Sequence, residues 1–95
     1  MTQRDKLIEK VMQRPPRKDI EFEDIEKVLN AHDFETIRIA GSHCIFKNKK
    51  YPNIELDAIP IPHGGNKCVR RSYVEMVQAA VKEYQEMEQK EDEKK

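Results

Sequence analysis

The sequence predicts an α+β fold: a three-stranded antiparallel sheet with helices on one face, in the order α-α-β-β-β-α. Three observations carry that reading. Apolar stripes at helical spacing occupy both ends of the chain, three short runs of alternating apolar and polar residues lie between them, and turn residues cluster where the patterns break. The 95 residues allow one small domain, and a hydrophobic fraction of 37% against a charged fraction of 38% implies a thin core under a heavily solvated surface.

Over residues 4–13, Leu7, Ile8, Val11 and Met12 fall on one stripe of a short helix. Arg14-Pro15-Pro16-Arg17 stops it, because proline removes a donor and pushes the preceding residue out of helical geometry. A second helix begins near Phe22, with Glu23 and Asp24 suited to its first turn and Ile25, Val28 and Leu29 as its stripe; it fades at Ala31-His32-Asp33. His32 is expected there as a helix-terminal cation. In the first strand, residues 36–40, Ile37 and Ile39 share one face and Arg38 takes the other. In the second, Cys44 and Phe46 oppose His43, Ile45 and Lys47. In the third, Ile54, Leu56 and Ala58 oppose Glu55, Asp57 and Ile59, and the turn-rich residues 48–53 join these two as a hairpin. A long helix follows from about Val69, with Val74, Val77, Ala80, Val81 and Tyr84 as its stripe. Residues 1–86 are expected to form the domain, 1–14 as an extra N-terminal helix, and residues 87–95 a charged tail that is either a solvated helix extension or frayed.

The formal charge is zero, which argues against a generic polyanion binder. The charge is unevenly spread, however. Residues 36–73 hold seven basic and two acidic side chains, whereas residues 19–35 hold one basic and seven acidic. A locally basic middle can hold phosphates on a neutral protein. Cys44 and Cys68 have no paired or metal-like spacing, so a reduced, buried Cys44 is expected. With no signal peptide and no apolar run of membrane-spanning length, the expectation is a cytoplasmic protein without membrane contact.

Chemistry concentrates in that basic middle. Gly41-Ser42-His43 sets an imidazole at the mouth of the second strand, beside a glycine that lets another backbone approach closely. Ile59-Pro60-Ile61-Pro62-His63-Gly64-Gly65 places a second imidazole after the third strand. A hairpin centred near Tyr51-Pro52 brings His43 opposite Pro60, leaving the imidazoles roughly 8–12 Å apart from strand rise alone. Two such groups can divide ribonucleolysis, one removing the 2′-OH proton and one protonating the departing 5′ oxygen. A histidine at a strand end is also a common surface or capping residue, and Ser42 serves a turn as readily as a phosphate. Lys47, Lys49 and Lys50 at the hairpin tip, and Lys67, Arg70 and Arg71 around the start of the last helix, are either phosphate contacts or solvated charge. Arg70 and Arg71 oppose the helix dipole there, which favours an anion-holding role. A metal centre from His43, Cys44, His63 and Cys68 is disfavoured because adjacent strand residues point to opposite faces; no metal and no cofactor are expected.

Gly41-Ser42-His43-Cys44-Ile45-Phe46, together with Phe34-Glu35 and Ile59-Pro60-Ile61-Pro62-His63-Gly64, resembles the HicA toxins, small mRNA interferases of toxin–antitoxin pairs. The resemblance runs from about Ile20 to Tyr84. It implies a fold similar to double-stranded-RNA-binding domains, metal-independent cleavage of mRNA, His43 as catalytic histidine with Gly41 and Ser42 as its motif neighbours, and His63 as the second family histidine. It also implies a HicB-like antitoxin partner that covers the active face; the isolated chain is expected to be a monomer. The chain departs from the family pattern at Asp33, where a glycine is frequent, at Arg71-Ser72, and at Glu21, where a threonine or serine cap is common. A non-catalytic RNA-binding module, or an inactive relic that only captures an antitoxin, is the alternative from another class.

Overall fold

A computed structural model describes residues 2–62, 65 and 67–93. The described elements are α1 (Gln3–Val11), α2 (Phe22–Ala31), β1 (Phe34–Ala40), β2 (His43–Asn48), β3 (Ile59–Pro60) and α3 (Arg71–Glu93). The strands form one antiparallel sheet in the order β1-β2-β3, so β2 is central. The expected order is therefore the observed one. It is compatible with the double-stranded-RNA-binding-domain likeness.

The ends of α1 and α2 are closed by named polar groups, some of them local and some remote. The Asp5 amide of α1 donates to the Thr2 hydroxyl, and the Thr2 amide to the Asp5 carboxylate, satisfying two of the amides a helix start leaves open. At its other end, the buried Gln78 of α3 donates to the carbonyls of Val11 and Gln13, taking up acceptors the helix has abandoned. In α2, Asp24 accepts the Glu21 amide and also meets Lys10 of α1 at 3.4 Å. That helix ends through Asp33, at φ +64, the left-handed geometry that usually selects glycine after a helix. Asp33 instead accepts a hydrogen bond from the Tyr84 hydroxyl of α3.

Ile25, Val28 and Leu29 of α2 meet Val74, Val77, Ala80 and Val81 of α3, and both stripes cover Phe34, Cys44, Phe46 and Ile59 of the sheet. Each buried Val, Leu, Ile or Phe among them contributes about 1.5–3 kcal/mol. Of the α1 stripe, Val11 is fully buried; Leu7, Ile8 and Met12 pack against the core from its margin.

Three expectations are corrected. Ile37 is a bulge: Thr36 pairs with Phe46 and Arg38 with Ile45, so alternation breaks and Ile37 and Ile39 do not share a face. Ile39 instead lies opposite Cys44, on the helix side of the edge strand, and both isoleucines remain exposed. The third strand is reduced to Ile59–Pro60, and Ile59 is buried rather than facing away from the core. The buried Asn48 carboxamide oxygen accepts the amides of Lys50 and Tyr51 and turns the chain after β2. The last helix starts at Arg71, two residues later than expected, because the Val69 amide donates to Ile20 and Cys68 bridges Glu21. His32 stands at the end of α2, as expected, but is buried there: it donates Nδ1–H to the Val28 carbonyl at 2.8 Å and packs edge-on to Tyr84.

Of the two readings for the charged end, the helix extension is observed. α3 continues to Glu93; Met87 packs on the core, and Glu88 and Glu91 engage Lys50 and Tyr51.

Candidate functional site

Ala40 and His43 pair across a two-residue turn, Gly41-Ser42. Gly41 has φ +62, and Asp33 is the one non-glycine among the described residues at positive φ, so Ser42 is ordinary. Glycine first and an ordinary second residue is the type II′ turn, whose twist matches antiparallel strands. A Cβ built at Gly41 would meet nothing within 4 Å. Within this chain Gly41 is therefore needed for its backbone angle, and the space beside it is open.

His43 is the first residue of the central strand, paired with Ala40 on one side and Pro60 on the other. The expected opposition of His43 and Pro60 is the observed register. The Ile61 amide donates to the Ser42 carbonyl at 2.6 Å, fastening the turn to the strand beyond. Backbone pairing from both sides thus fixes where the imidazole starts. Since Cys44 points into the core and successive strand residues alternate, His43 faces outward and is exposed. Ser42 is half-buried.

The cations divide by position. Arg38 and Lys47 lie on the same outer face as His43, because Arg38 pairs with Ile45 and strand alternation carries 43, 45 and 47 to one side. Both are exposed and have no ion pair among the described residues. Lys47 lines an outer groove with Glu55 and Asp57, which temper its charge. Lys49 is exposed, with its amide on the Asp33 carbonyl. Lys50 is committed to structure: its ammonium contacts Glu88 at 2.8 Å and Glu91 at 3.7 Å and lies over the Tyr51 ring, and the Glu88 hydrogen bond raises its pKa. Four residues of strand place the tip lysines about 13 Å or more from His43.

Lys67, Arg70 and Arg71 lie beyond β3, at the His43 end. The Arg70 carbonyl accepts the Tyr73 and Val74 amides and closes the first turn of α3. An open groove there is lined by Pro60, Pro62, Cys68, Val69, Arg70 and Tyr73. A second, lined by Glu21, Phe22, Glu23, Ile61, Pro62 and Lys67, adjoins it at Pro62. Sequence reasoning missed Tyr73 and Arg38; an aromatic one turn into a helix that follows a basic run was the available signal for Tyr73. His63 lies outside the described residues.

Cys44 is buried against the Thr36 hydroxyl, and burial pushes its thiol above the usual range, which suits a core residue rather than a nucleophile. Among the described residues no three His, Cys, Asp or Glu side chains gather where they could hold a metal ion. Nor is any helix among them long and apolar enough to cross a membrane.

A family model described as the HicA toxin of bacterial toxin–antitoxin systems matches residues 22–81. The chain belongs to the HicA toxin family. The match begins at the first residue of α2 and ends inside α3, so α1 of this HicA chain lies outside it. It spans the whole sheet and the His43 turn. No curated protein and no solved structure shows significant similarity to the chain.

Proposed function

We propose that this HicA chain is an endoribonuclease that cleaves mRNA, with His43 as the general acid or base. The observation that carries the reading is an exposed imidazole held on a central strand between two paired neighbours, on a face that also presents Arg38 and Lys47. Scission needs a proton taken from a 2′-OH as that oxygen bonds to the adjacent phosphorus, and a proton given to the 5′ oxygen as its bond to phosphorus breaks. His43 performs one transfer. His63, the residue after the described Pro62, is proposed for the other, with water as the alternative donor; Lys47, about 13 Å along the strand, is too distant for that role. Unpaired cations on the face draw in the phosphates.

The partner follows from the toxin–antitoxin family. A HicB-like antitoxin is proposed to cover the His43 face, and the site of action is then the cytoplasm. Expression of wild type and His43→Ala without antitoxin tests the catalytic assignment: wild type arrests growth and cuts mRNA, and the variant does neither. Equal growth with intact mRNA in both overturns it. Purified protein that retains cleavage in excess chelator agrees with metal independence. Protein that shifts RNA on a gel but never shortens it establishes the non-catalytic binding module instead.

A further inference from the structure

We infer that the groove beside β3 is a nucleobase subsite, in which Tyr73 stacks one base of single-stranded RNA and Arg70 holds that nucleotide's phosphate. The inference rests on the ribonuclease reading and specifies where its substrate lies.

The lining is apolar and flat on its walls and cationic at its rim: Pro60, Pro62, Val69 and Tyr73, with Arg70 exposed. Such a groove suits a ligand with a flat π-face and an attached anion. A nucleotide is both. A purely apolar ligand leaves the arginine without a role, and a bare phosphate leaves the ring and prolines without one.

The groove is held rigidly on each side, so binding costs little ordering. Ile59 pairs with Cys44 and Ile61 donates to Ser42, fixing the proline wall. Val69 is buried and its amide donates to Ile20, fixing the opposite wall. Tyr73 is half-buried and packs against the core, so its ring has little rotamer freedom to lose.

Its position connects it to the chemistry. Pro60 is the direct cross-strand partner of His43, so their side chains leave the sheet on the same side from Cα atoms about 5 Å apart. A nucleotide against Pro60 is therefore a neighbour of one at His43. Charge sets the direction of the strand. Arg70 and Arg71 have no ion pair among the described residues, whereas in the adjoining groove Glu21 and Glu23 outnumber Lys67, so the groove beside β3 is the more favourable of the two for phosphate. Stacking on a side chain requires a base free of its own duplex, so the substrate class is single-stranded RNA.

Fluorescence anisotropy with a labelled single-stranded RNA, in a His43→Ala background so that the probe survives, tests the subsite. Tyr73→Leu keeps the apolar packing but removes the π-face, and is expected to weaken binding about 5- to 100-fold, with Tyr73→Phe restoring it. Arg70→Glu, at an exposed position, is expected to weaken binding and flatten the slope of log affinity against log salt by about 0.7 or more. Should Tyr73→Leu fail to fold, Arg70→Glu and Tyr73→Phe still decide. Affinity and salt slope unchanged by Arg70→Glu, or affinity unchanged by a folded Tyr73→Leu, overturns the subsite while leaving ribonuclease activity intact. A parent protein that binds no single-stranded RNA, with wild type and His43→Ala equally harmless in cells, overturns the ribonuclease reading as well.

Discussion

The two ends of β2 are built on opposite principles. At the Asn48 end, polar groups are used up on one another. Asn48 is buried, donates to the His32 carbonyl and accepts from Lys50 and Tyr51; Tyr84 holds Asp33, and Lys50 and Tyr51 reach Glu88 and Glu91 of α3. At the His43 end the backbone is equally well paired, yet His43, Arg70 and Arg71 make no ion pair with a described residue. A protein that spends its polar side chains on itself at one end and withholds them at the other separates stability from recognition. On the proposed reading, the withheld end is where an RNA phosphate would find unoccupied partners.

Substitutions that damage one end and spare the other put this contrast at risk. The largest effect is expected for His43→Ala, which should lower RNA cleavage by about 10²–10⁴-fold in a single-turnover assay and leave the thermal midpoint where it was. Loss of stability with retained activity would reverse the assignment of the two ends. Asn48→Ala should do the converse. It strands the His32 carbonyl and two amides, costing about 2–4 kcal/mol in urea unfolding, while the folded fraction keeps the affinity of the His43 face for RNA.

Asp33 sharpens the contrast at smaller scale. Asp33→Ala loses the Tyr84 hydrogen bond and keeps the left-handed strain, for about 1–2 kcal/mol, whereas Asp33→Gly loses the bond but relieves the strain and should fall within about 1 kcal/mol of wild type. The same end is expected to fail first in alkali. Desolvation and the Asp33 bond raise the Tyr84 phenol well above 10.0, and desolvation with the Glu91 bond raises that of Tyr51 to about 12. A raised folded value means the contribution is complete below pH 10, where the unfolded phenol begins to ionise, and is lost as pH climbs through the folded value. Stability measured from pH 9 to 12 should therefore decline, and Tyr84→Phe should flatten the decline. The smallest effect is expected for Lys50→Ala, whose exposed pairs are screened by salt: its shift in urea midpoint should vanish at high salt, and its RNA affinity should change less than that of Arg70→Glu. A larger loss of RNA binding from Lys50→Ala would return the hairpin tip to the binding surface.

Much of this was legible before any coordinates. The stripe of α2, the proline stop after α1, and the pairing of His43 with Pro60 all depend on neighbours close in sequence or on a turn whose residues announce it. Less legible was whatever a distant partner decides. Nothing near Gln78 in sequence says that it will cap α1, 67 residues away, and nothing near His32 says that Tyr84 will bury it. The expected third strand had sound alternation in Ile54, Leu56 and Ala58, but alternation does not decide backbone pairing, and a strand forms only where Ile59 and Pro60 meet β2. Among the site residues, the motif pointed to His43 directly. Tyr73 needed the groove to be seen, because an aromatic on a helix reads as core until its other face is found open.

Sequence was enough for the element order, the family membership and the outward histidine, because periodicity, proline, glycine and a short motif act over a few residues. Which cations remain unpaired, where the left-handed residue falls and how far β3 extends were settled by packing. Those outcomes turn on whether an acceptor such as Glu88 or the Ile20 carbonyl arrives from a remote part of the chain, and a hydrogen bond is short-ranged in space without being short-ranged in sequence.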